Sequence, residues 1–119
     1  MIKLKRVYEA PDAQDGTRVL IERLWPRGLD KQHVQVDAWL KEIAPSTDLR
    51  KWFAHDPAKW AEFQTRYKTE LAEKSALIIQ LKQMAREDTI TLVFAAKDER
   101  HNSAIVLKRY LEQYAARAT

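Results

Sequence analysis

Residues 90–96, Ile-Thr-Leu-Val-Phe-Ala-Ala96, form a nearly all-apolar run with charged residues on either side. A strand with one wet face alternates between apolar and polar residues. A run without alternation needs cover on both faces, as a central strand of a parallel sheet has. Such a strand cannot stand alone, so the chain must supply parallel neighbours and the crossovers that connect them. With 119 residues, 45% of them hydrophobic, there is material for one core. The expectation is a single α/β domain over 1–119.

Glycine and proline mark out the first half of the chain. Gly16, Gly28, Pro11, Pro26, Pro45 and Pro57 all precede residue 60, so long regular elements are predicted beyond it. Residues 2–8 read as a strand and 9–17 as a loop. Residues 18–24, Arg-Val-Leu-Ile-Glu-Arg-Leu24, suit a second strand, which Trp25-Pro26-Arg27-Gly28 ends. Residues 34–40 alternate with period two and predict a third strand, with a short helix as the competing reading. The short link from 25 to 33 leaves that strand's direction open.

Ser46 is placed to cap a helix whose buried face is Leu49, Trp52 and Phe53. Asp56-Pro57 signals a second start. From there Trp60, Phe63, Tyr67 and Leu71 fall on one helical face. A third helix is predicted over 75–87, with Leu77, Ile78, Leu81 and Met84 inward. A last helix over 102–116 has Ala104, Leu107, Leu111 and Tyr114 as its stripe. The pattern predicts a small, mostly parallel sheet with helices on both faces, a three-layer, Rossmann-like sandwich.

Several chemistries are excluded. There is no Cys, hence no disulfide, thiolate nucleophile or Cys-ligated metal. Two glycines cannot build a G-x-G-x-x-G turn or a P-loop. Three scattered His form no ligand motif, so neither metal nor cofactor is expected. No apolar run is long enough for a membrane span. The start, Met1-Ile2-Lys3-Leu4-Lys5-Arg6, lacks the apolar run of a secretory signal, and the expected compartment is the cytoplasm. The net charge is +4 and the pI about 9.4, but acids and bases interleave, as in Lys97-Asp98-Glu99-Arg100. A nucleic-acid face gathers its bases, so that partner is not favoured.

In open α/β sheets ligands bind beyond the carboxyl ends of the strands. That rule selects the residues after each predicted strand. Arg23 and Arg27 flank Trp25-Pro26, and a guanidinium fork suits carboxylate or phosphate. Lys41, Arg50 and His55 are further candidate ligand contacts. After residue 96, His101 is the group that titrates near neutrality, and Asp98 is placed to orient it. Asn102 stands at a helix start, where it can cap the helix or meet a ligand.

Four segments carry a resemblance. They are Arg18-Val-Leu-Ile-Glu-Arg-Leu-Trp-Pro-Arg-Gly28, Trp39-Leu-Lys-Glu-Ile-Ala-Pro-Ser46, Leu49-Arg-Lys-Trp-Phe53 with His55-Asp-Pro57, and Thr91-Leu-Val-Phe-Ala-Ala-Lys-Asp98 with His101-Asn102. Together they resemble the YeaO-like branch of the domain-of-unknown-function 488 family. The resemblance implies the α/β fold and leaves the reaction open. Larger relatives are similar at Arg23, Trp25, Pro26 and Arg27. They often carry a Cys at the end of the last strand and a Cys-His-Arg after it. This chain has Ala95-Ala96 and Arg100-His101-Asn102 there, so a thiol mechanism does not carry over.

The first functional expectation is a binder of, or small enzyme acting on, an anionic ligand, with Arg23 and Arg27 as clamp and His101–Asp98 as proton shuttle. The alternatives are a nucleic-acid-binding module, and an interaction domain whose partner covers an exposed Trp25 or Trp39.

Overall fold

The computed structural model describes the backbone of residues 1–117 and the side chains of residues 1–113. Four strands form one sheet: β1 (Ile2–Arg6), β2 (Thr17–Leu20), β3 (Ala38–Trp39) and β4 (Ile90–Phe94). Their spatial order is β1-β4-β2-β3 and every pairing is parallel. The helices are α1 (Lys31–Val34), α2 (Thr47–Phe53), α3 (Trp60–Ala72), α4 (Ser75–Glu87) and α5 (Ser103–Arg117). This is the predicted small α/β sandwich. The direction of β3, left open by the sequence, is parallel to β2.

β4 is buried along its whole length. Leu4 and Val19 both stand in register with Leu92, one on each side. Ile90, Leu92 and Phe94 face one core, shared with α2, α3, α4 and α5. Val93 faces a smaller one with Val7, Leu20 and Val34, where α1 and the segment around Trp25, Val36 and Trp39 give the cover. Helices thus lie on both faces, but unequally. The polar member of β4, Thr91, is 1% exposed, and its hydroxyl donates to the Asp15 carbonyl at 2.7 Å. Burial of its hydroxyl is therefore compensated.

The helix boundaries follow their sequence signals. The Ser46 hydroxyl accepts the Leu49 N–H at 3.1 Å, and Asp56 accepts from Ala58 at 3.0 Å, opening a 3-10 turn before α3. Phe63, Tyr67 and Leu71 form the buried face of α3. Tyr114 lies outside the described side chains.

All four predicted strands are shorter than expected: β1 and β4 each end two residues early, and the other two lose more, each for a local reason. Over 34–40, Val34 closes α1 and Gln35 is left-handed, with φ 52. Val34 and Val36 both pack inward, which imitates alternation. The Val34 carbonyl instead accepts the Arg18 guanidinium at 2.8 Å and Gln35 accepts at 3.1 Å, leaving Ala38–Trp39 as the strand. The Ile21 N–H still donates to the Val93 carbonyl at 3.2 Å, but beyond it side chains replace the ladder. The Trp39 indole donates to the Glu22 carbonyl at 2.6 Å, and the Glu22 carboxylate accepts the Ala95 N–H at 3.3 Å.

A closed charge network stands at the amino edge of the sheet. Asp15 and Arg18 are 4% and 3% exposed and meet at 2.6 Å. Lys5 adds a second bond to Asp15 at 3.0 Å. Gly16, between them, has φ 64, and a Cβ there would lie 2.0 Å from the Thr89 carbonyl oxygen. Only glycine lets β2 enter beside β4.

Burial works to raise the Asp15 pKa, but hydrogen bonds from Lys5, the Asp12 N–H and Arg18 outweigh it and hold it below 3.8. The stabilisation this gives is complete above the unfolded-state value and is lost as pH falls through the lower native value. Asp15→Asn, by stranding a buried guanidinium, should cost about 3–5 kcal/mol at neutral pH. Thermal melts should show the gap from the native chain closing below about pH 4. A gap under about 1 kcal/mol would mean the pair contributes little.

Candidate functional site

Because all four strands are parallel, their carboxyl ends share one edge of the sheet. A cleft of about 550 Å³ opens there, lined from three directions. The end of β2 supplies Ile21, Glu22 and Arg23, and the segment before α2 supplies Ala44 and Pro45. α2 and its exit supply Arg50, Phe53 and His55, while the segment from β4 into α5 supplies Ala95 through Asp98 and His101 through Ser103. Such a volume suits a small metabolite, and the mix of apolar wall with a few charged groups is usual for a ligand site.

Arg23, Arg50, His55, Asp98, His101 and Asn102 all line this cleft, whereas Trp25, Arg27 and Lys41 lie outside it. Trp25 turns to the smaller core, where its indole donates to Leu29 at 2.7 Å and meets Trp39 edge-on at 5.4 Å. Both indoles are half-buried and hydrogen-bonded, so neither is the exposed docking residue the sequence allowed for. Arg27 is exposed on the segment leading to that core. The expected clamp of Arg23 with Arg27 is therefore split, the chain bending at Arg23–Leu24 and turning at Arg27–Gly28. Lys41 stands over the Trp39 ring at 4.1 Å.

Each lining group has a definite state. Arg23 donates to the Ala44 carbonyl at 3.1 Å and to Pro45 at 3.3 Å. Lys74 donates to Glu42 and Ala44. These two cations pin the cleft wall rather than reach into it. Asp98 accepts the Arg100 and His101 N–H groups on one oxygen and the His101 Nδ1 at 2.9 Å on the other. The Arg100 N–H and the His101 contact hold its pKa below the usual carboxylate range. A carboxylate beside Nδ1 favours a ring proton there, which in the neutral imidazole leaves the lone pair on Nε2. Trp60 packs edge-on against the same ring at 5.3 Å.

Asn102 caps α5. Its side-chain oxygen accepts the Ile105 N–H at 3.0 Å and its amide donates to Asp98 at 2.9 Å. The amino end of α5 thus opens on the cleft, with the partial positive charge of a helix start. His55 follows Ala54, and both are left-handed, at φ 57 and 46. Two such non-glycine residues in succession are strained and characteristic of sites the surroundings hold in place. The Arg50 side chain is exposed and makes no hydrogen bond or ion pair among the described residues.

Sequence reading missed Glu22. Its signal was an acid set in the apolar run Val19-Leu20-Ile21, read as part of a covered strand. Burial raises its pKa, against smaller lowering effects of the Ala95 N–H, Arg50 and His55. Among the described residues no group of His, Cys, Asp or Glu is placed to hold a metal ion. No described helix is long and apolar enough to cross a membrane.

The model of the family described as "Inactive DUF488-N3 subclade" matches residues 1–119, and the chain belongs to that family. The chain is similar to the uncharacterized protein YeaO of Escherichia coli K12, 41% identical over 92% of this chain and 96% of that one. It is also similar to the uncharacterized proteins Rv3073c of Mycobacterium tuberculosis and Mb3100c of Mycobacterium bovis, each 38% identical over 92% of both chains. No solved structure matches it.

The raised Glu22 pKa has a stability consequence. Between the ordinary value of 4.5 and the higher native value, the unfolded state loses a proton that the folded state keeps. Stability therefore falls as pH rises through that window. Glu22→Gln keeps an oxygen for the Ala95 N–H and removes the titration. Its melting temperature should match the native chain's near pH 4 and exceed it at neutral pH. A difference that does not change with pH would contradict the assignment.

Proposed function

We propose, taking membership in the inactive DUF488-N3 subclade as premise, that the cleft binds a small anionic ligand and holds it without covalent chemistry. The observation that carries this reading is the position of Arg50. Its guanidinium is exposed, makes no side-chain hydrogen bond or ion pair among the described residues and feels the charge of Glu22, and it lines a partly apolar cleft where Coulomb attraction to an anion is stronger than in water. His55 and Lys97 line the same cleft, and α5 begins at its edge. A phosphate or carboxylate placed there meets two cationic side chains, a titratable imidazole and free helix N–H groups.

The family description supports binding over turnover, as does the side-chain inventory. Ala95 and Ala96 line the cleft where β4 ends, and the chain has no Cys, so no thiolate can attack a ligand. The His101–Asp98 pair is the acid–base couple present. It supports a second reading, in which Nε2 takes a proton from the bound ligand. The cytoplasm as place of action belongs to the same proposal.

Amide NMR during titration with phenyl phosphate tests the binding reading. Shifts should gather on residues 50–55 and 95–104, and Arg50→Gln should weaken binding about tenfold. Shifts scattered over the Lys-rich surface, or none at millimolar ligand, would remove the reading.

A further inference from the structure

The cleft contains carboxylates as well as cations, and they are not equivalent. Asp98 is fully engaged: both oxygens accept hydrogen bonds from its own segment. Arg23 is engaged with two backbone carbonyls and lies 3.8 Å from Glu42. Glu22 differs. One of its oxygens accepts the Ala95 N–H, and the other makes no hydrogen bond among the described residues. No fully buried side-chain oxygen or nitrogen among the described residues lacks a partner. The free oxygen of Glu22 therefore keeps access to solvent, and the cleft is the cavity its residue lines.

A carboxylate in that position bears on what the cleft can hold. A simple anion drawn to Arg50 and His55 would share a partly dry cavity with Glu22 and be repelled by it. A ligand with a donor nitrogen near its anion removes the repulsion and supplies the hydrogen bond that the free oxygen lacks. Ile21, Ala44, Pro45, Phe53 and Phe63 give the cavity an apolar wall, which suits a compact carbon body between the two polar ends.

We infer that the ligand is an amino-bearing anion, with an ammonium or amino nitrogen donating to Glu22, an apolar body against the Phe53 side of the cleft, and a phosphate or carboxylate at Arg50 and His55. The inference rests on the anion-binding reading above and narrows its substrate class. Glu22 is then the residue that separates amino-bearing anions from plain ones. This needs no closure or rearrangement, since Glu22, Arg50 and His55 already line one cavity.

Two probes that differ in one group test it: 4-methylphenyl phosphate and 4-(aminomethyl)phenyl phosphate, titrated by calorimetry into the native chain and into Glu22→Gln. The native chain should bind the aminomethyl compound about tenfold more tightly. In Glu22→Gln that preference should disappear, while the methyl compound binds as well as before or better. Melting curves of the variant check that it is folded. Equal affinity of the two probes for the native chain would overturn the inference and leave the anion reading in place. A preference that persists in Glu22→Gln would also overturn it, by assigning the nitrogen to another acceptor. Binding of neither probe would remove both readings together.

Discussion

Parallel pairing of β4 on both of its edges is the constraint from which the rest of the structure follows. Its side chains are dry on both faces, so β1 and β2 must flank it and helices must cover it. Parallel neighbours cannot be joined by tight turns, and the long crossover from β3 through α2, α3 and α4 is the consequence. The same parallelism gathers the carboxyl ends at one edge. The cleft is thus a product of topology: Glu22 and Arg23 emerge from β2, Ala95 to Ser103 from β4, and the crossover delivers Arg50 and His55.

The two edges of the sheet treat charge in opposite ways. At the amino edge, Asp15, Arg18 and Lys5 close a network in which each buried charge has its partners. Such a network stabilises by leaving nothing unsatisfied. At the carboxyl edge, Glu22 and Arg50 line a shared cavity and neither makes a direct ion pair among the described residues. Arg50 is exposed, but the partly buried Glu22 carboxylate costs stability at neutral pH. Its retention at the edge where α/β sheets bind ligands is the physical argument for function here.

Much of this was legible in the chain, wherever a signal was local. The unbroken run of residues 90–96 identified the central strand, and Ser46, Asp56 and Asn102 announced their helices through side chains that cap a nearby N–H. Arg23, His55, Asp98, His101 and Asn102 were legible because they follow strands or flank helix ends, whereas Arg50, in the middle of α2, carried no such signal. What failed depended on contacts distant in sequence. The alternation of Val34 and Val36 is real burial, but a left-handed Gln35 and the Arg18 guanidinium produce it, and no window of residues 34–40 contains Arg18. Trp25 and Arg27 sit beside Arg23 in sequence, yet Trp25 packs on the smaller core and Arg27 is exposed outside the cleft. Glu22 looked like one polar residue in a covered strand, because its partner N–H at Ala95 lies far along the chain.

The central claim is that cations from α2 and the α5 start form one anion site at the carboxyl edge. A crystal structure of the chain grown with phenyl phosphate measures this most directly. The account predicts phosphate density within hydrogen-bond distance of the Arg50 guanidinium, beside His55 and the first N–H groups of α5. Phosphate seated elsewhere, with Arg50 turned onto Glu22 and the cleft closed between them, would contradict it.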